Sequence, residues 1–75
     1  MVNYIKDAQE YSDEIKHYFN NTGLAEACSQ ATFPLSKLKA LVGKAGNSKN
    51  NRSDIAVIKI IIEEIEEFIK EKKAE

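Results

Sequence analysis

Five isoleucines, Ile55, Ile58, Ile62, Ile65 and Ile69, recur at alternating gaps of three and four residues. An α-helix gathers such positions on one stripe, whereas a strand, with its period of two, would scatter them over both faces. Val57, Ile61 and Phe68 widen the stripe to roughly 160°, beyond the ~100° of a helix that buries a single side. The spacing therefore predicts a long helix over about 54–72 that packs on two sides as the core element of the fold. Ser53 is its expected N-cap, Asp54 suits its positive end, and Lys70, Lys72 and Lys73 suit its negative end. Glu63, Glu64, Glu66, Glu67 and Glu71 fill the opposite face, and Ile60 falls outside the apolar stripe.

The rest of the chain reads the same way. Tyr4, Ala8, Tyr11, Ile15 and Tyr18 predict a helix over about 3–20, capped by Asn3 and ended by Asn20-Asn21-Thr22-Gly23 in a left-handed turn. Leu24, Ala27, Cys28 and Ala31 predict a short second helix over about 23–31 with Thr22 as its cap. Pro34 disfavours helical geometry at Phe33 and suits a first turn, so a third helix is expected over about 34–42, with Leu35, Leu38, Leu41 and Val42 on its apolar face and Gly43 as its stop. The expectation is an all-α, small four-helix domain spanning 1–75, with a flexible basic loop at 43–53.

A chain of 75 residues has little core to draw on. Cys28 is its only cysteine and His17 its only histidine, so an internal disulfide is impossible and a Cys/His zinc site would need unusual ligands. No cofactor is expected. No apolar run is long enough to span a bilayer, and the N-terminal stretch lacks the apolar segment of a signal peptide, so the expected location is the cytoplasm.

The net charge of −1 hides a segregation. Residues 1–26 carry two lysines and five acids; residues 27–53 carry Lys37, Lys39, Lys44, Lys49 and Arg52 and no acid; residues 54–75 carry four lysines and seven acids. An acid-free basic block between two acidic segments can attract polyanions although the whole chain is slightly acidic. Catalytic signatures are weak. Asp13 and His17 stand one helical turn apart, as ordinary solvated pairs do. The GKAGNSK stretch lacks the spacing and the preceding strand of a phosphate-binding loop. Cys28, among Leu24, Ala27 and Ala31, reads as a small apolar residue, and the three tyrosines as a core edge with wet hydroxyls. The chain is not expected to be an enzyme.

The stretch LAEACSQATFPLSKLKALVGK, residues 24–44, resembles the helix-turn-helix of phage and bacterial repressor-like proteins. The resemblance places Ala27, Cys28 and Ala31 where two helices cross, and Leu38 and Leu41 as anchors of the second. It implies that Ser36 and Lys39 contact bases. Thr32 stands where the family's turn has glycine, and no Arg, Asn or Gln faces the groove to make bidentate base contacts. Lys37, Lys44, Lys49 and Arg52 would then track the phosphate backbone.

Two functions follow as expectations. One is a small DNA-binding transcription regulator using Ser36, Lys37, Lys39, Lys44, Lys49 and Arg52, with DNA as partner. The other is a protein–protein interaction module, an inhibitor, adaptor or antitoxin-like protein, that docks a partner or a second copy of itself through Ile60, Glu63, Glu64 and Glu67.

Overall fold

The computed structural model describes residues 3–46 and 52–74, Arg52 by its backbone alone. These residues form three helices: α1 (Tyr4–Asn21), α2 (Leu24–Gly46) and α3 (Arg52–Ala74). The expectation of four helices is corrected: the segments read as separate helices over 23–31 and 34–42 are one helix, and α2 and α3 are equally long at 23 residues each. The C-terminal helix is long, as expected, but it is not a uniquely central rod. All three helices pack on one another around a shared core.

α1 begins as its sequence requires. Asn3 lies in extended geometry and its side chain accepts a hydrogen bond from the Lys6 amide at 3.0 Å. Its end differs from expectation. No residue among those described adopts a positive φ. Thr22 closes the helix in extended geometry instead, its amide and hydroxyl both donating to the Tyr18 carbonyl at 3.0 and 2.6 Å. Thr22 therefore caps the end of α1 rather than the start of α2. α2 opens at Leu24, and its first hydrogen bond runs from the Ala27 amide to the Gly23 carbonyl at 2.8 Å.

α2 runs through both of its expected breaks. Its buried residues are Ala27, Ala31, Pro34, Leu38, Leu41 and Ala45, at gaps of four, three, four, three and four. Pro34 lies in phase with that stripe and is itself buried. Proline inside a helix removes one hydrogen bond, here to the Gln30 carbonyl, and costs about 3 kcal/mol. Splitting the helix would instead expose a set of unpaired amides and carbonyls at two new ends. Thr32 and Phe33 offer no left-handed or turn geometry to support that split, and the Thr32 hydroxyl donates to the Cys28 carbonyl at 3.0 Å within the helix. Gly43 is likewise interior rather than a stop, because Ala45 beyond it is fully buried.

The two-residue link Thr22–Gly23 folds α2 back along α1. Small side chains, Ala8 and Ser12 on α1 and Ala27 and Ala31 on α2, are buried and allow close approach. α3 then runs parallel to α1: Ile61 and Glu64 lie beside Ser12 and Lys16, and one level further on Phe68 meets Phe19 edge-to-face at 5.9 Å. Ile58 and Ile65 of α3 are fully buried, while Ile55, Ile61, Ile62, Phe68 and Ile69 are partly buried against the core. Val57, read as part of the buried stripe, is exposed. α3 starts at Arg52, so Ser53 lies in its first turn rather than at its cap. The bundle is elongated, 41 × 20 × 15 Å. No helix among the described residues is long and apolar enough to cross a membrane.

Candidate interaction surfaces

The continuity of α2 decides where its basic residues point. With about 100° of rotation per residue, Lys37 and Lys44, seven apart, share one flank of α2. Lys39 lies roughly 160° around the axis from Lys37. The two flanks meet different surroundings. Lys37 lies over the exposed ring of Phe33, its Nζ 4.3 Å from the ring centroid. Lys39 turns toward α3, where its Nζ is 3.8 Å from a Glu66 oxygen. Ser36 is exposed on the outer face between these flanks. The structure thus groups Lys37 with Lys44 and separates both from Lys39. Lys49 lies outside the described residues, as does the side chain of Arg52. Of the expected 43–53 loop, residues 43–46 belong to α2 and 52–53 to α3, and 47–51 lie outside the described residues.

The crossed helix pair that a helix-turn-helix needs is missing over residues 24–42, which run as one rod. Leu35, expected on the apolar face of a third helix, is half-buried and lines a groove against α3.

The alternative set lies on the solvent side of α3. Ile60 is 53% exposed, as its position off the stripe requires, and Glu63, Glu64 and Glu67 around it are exposed. Val57, one turn earlier, joins Ile60 there, a member that sequence reasoning missed by assigning it to the core. Val57, Ile60, Glu64 and Glu67, at gaps of three, four and three, form a ridge that is apolar at one end and acidic at the other.

Between α2 and α3 lies an open groove of about 300 Å³ lined by Leu35, Lys39, Glu66, Ile69, Lys70 and Lys73. It continues along α2 past Thr32 and Ser36. Leu35 and Ile69 form an apolar floor; three ammonium groups stand on the rim against one carboxylate. Sequence reasoning assigned Lys70 and Lys73 only to the negative end of a helix. The register of α3 against α2 is what gives them a second setting, and no local pattern reports that register. A more polar hollow of about 240 Å³, between α1 and α3, is lined by Gln9, Ser12, Asp13, Lys16, Ile61 and Glu64.

The residues considered for chemistry have structural surroundings. His17 engages Asn21 rather than Asp13: the Asn21 amide donates to the His17 carbonyl at 2.8 Å and lies 3.1 Å from Nδ1. Cys28 is a free thiol, half-buried against the core. The Tyr18 hydroxyl donates to Glu14 Oε1 at 2.9 Å, and this hydrogen bond, with lesser contributions from desolvation and the carboxylate charge, raises the phenol pKa above its ordinary value. Among the described residues, no group of three or more His, Cys, Asp or Glu is placed to hold a metal ion. Comparison with protein-family models, curated proteins and solved structures gives no match.

Proposed function

We propose that this chain is a small helical protein-interaction module that docks through the solvent face of α3. The observation that carries the reading is Ile60, more than half exposed with Val57 beside it and followed along the helix by Glu63, Glu64 and Glu67. Val57 and Ile60 are 36% and 53% exposed, so their incomplete burial forgoes about 0.5–1.5 kcal/mol each, which a docked partner would recover. The matching partner surface is apolar at one end and basic at the other. Electrostatic matching of that kind sets partner choice more than raw affinity. The same reading puts the module in a reducing cytoplasm, where the Cys28 thiol stays free.

A photo-crosslinking residue placed at Ile60 in the full chain, in its native cell, tests this directly. A defined adduct is expected, absent when the crosslinker sits at the exposed Glu10 on the outer side of α1 and lost when Glu64 and Glu67 are both changed to Lys. No adduct at position 60 refutes the reading. Regulation through DNA has less to support it: of the basic side chains expected to contact DNA, only Lys37 and Lys44 among those described share one face. That reading requires a DNA affinity falling steeply with salt; a flat salt dependence removes it.

A further inference from the structure

The lysine-rimmed groove between α2 and α3 constrains its occupant on two counts. Its floor, Leu35 and Ile69, asks for apolar side chains. Its rim asks for negative charge, since Glu66 is already engaged by Lys39 and neither Lys70 nor Lys73 forms an ion pair among the described residues. A cationic ligand would be repelled, and an uncharged apolar one would leave the ammonium groups without counterions. The occupant must bring aliphatic groups with carboxylates a short distance away.

The chain itself carries such a surface. On the α3 ridge, Val57 and Ile60 supply the aliphatic groups, and Glu64 and Glu67 follow about 10 Å further along the helix. Where the two parts adjoin, the spacings match: Ile60 and Glu64 on the ridge, and Ile69 and Lys73 in the groove, are each four residues apart, about 6 Å along the helix. We propose that the groove of one molecule takes the α3 ridge of a second copy, with Val57 and Ile60 over Leu35 and Ile69 and the glutamates against Lys70 and Lys73. This rests on the reading of the α3 face as a docking surface and names one partner for it. Ile60 and Ile69 are nine residues apart, which places ridge and groove roughly 180° apart around α3. A molecule therefore cannot meet its copy with one shared face, and the contact is head-to-tail, with no built-in stop at a dimer. A net charge of −1 leaves little long-range repulsion to oppose it.

Sedimentation equilibrium of the full chain over a wide concentration range, at low and high salt, provides the test. The weight-average mass of the wild type is expected to rise with concentration beyond that of a dimer, and to fall with added salt. K70E with K73E, and separately E64K with E67K, are each expected to weaken association by on the order of tenfold. All four positions are exposed, so helix content by circular dichroism checks that each variant folds. An equimolar mixture of the two variants is expected to restore association, because each groove then meets a ridge of opposite charge. A wild type that stays monomeric throughout, variants that associate like the wild type, or a mixture that restores nothing overturns the proposal. A monomeric wild type with a retained crosslink from position 60 to another protein would overturn self-association while leaving the α3 docking face in place.

Discussion

Pro34→Ala tests the account where it is most exposed. Pro34 lies in the interior of α2, ten residues past its start, and is buried in the stripe between Ala31 and Leu38. Alanine restores the amide that the Gln30 carbonyl lacks and relieves the ring's clash with that carbonyl, a gain of about 3 kcal/mol on helix-propensity scales. It also removes about two buried methylene groups, a loss of about 1.6 kcal/mol. The difference predicts a variant more stable by about 1–2 kcal/mol, which for a domain of this size is a rise in melting temperature of roughly 5–10 °C. Thermal melts followed by circular dichroism, with urea titration as a second measure, read this out. If proline instead opened a separate helix, alanine would lose both the pre-set φ and the buried ring, and the variant would be less stable than wild type. A fall in melting temperature refutes the reasoning.

Gly43→Ala tests the same continuity from a second position. A Cβ there would meet nothing within 4 Å, so the variant should gain about 0.5–1 kcal/mol in a urea titration, whereas a loss would mean a left-handed helix end. Ile65→Ala empties a fully buried position and should cost about 2–5 kcal/mol, a large part of the few kcal/mol such a domain has; a midpoint shift below the equivalent of 1 kcal/mol would show that Ile65 is not in the core. Glu14→Gln removes the charged partner of the Tyr18 hydroxyl and should lower the phenol pKa, read by tyrosinate absorbance. Because the folded state holds that proton more tightly than the unfolded chain, its contribution to stability is present below the ordinary tyrosine pKa and disappears as pH rises through the folded value. A Tyr18 titration indifferent to residue 14 would contradict the hydrogen bond.

Much of the bundle can be read from spacing alone. α1 follows from its gaps of four and three and from Asn3, and the inward side of α3 follows from its isoleucines. α2 is the instructive case. Its buried positions pass from Ala31 through Pro34 to Leu38 with no slip of phase, so the sequence already contains the signal for one continuous helix. Local preferences at Pro34 and Gly43 point the other way, and tertiary burial outweighs them. Continuity in turn determines the surface: on one unbroken rod, Lys39 faces α3 and pairs with Glu66 while Lys37 and Lys44 point elsewhere. Of the candidate surfaces, Ile60 and the glutamates that follow it are legible because they depend only on phase within α3. The groove of Leu35, Ile69, Lys70 and Lys73 is not, because it depends on which flank of α2 meets which turn of α3. That register is set by side-chain volumes across the core and has no local sequence signal.

The most direct measurement is the set of sequential amide–amide nuclear Overhauser contacts and Cα chemical shifts along residues 28–42 of the full chain in solution. The account predicts helical shifts throughout, and amide–amide contacts interrupted only at Pro34, which has no amide proton. Extended shifts at Thr32 and Phe33, with a loss of helical contacts between Ala31 and Phe33, would contradict it and return the basic side chains of α2 to a different arrangement.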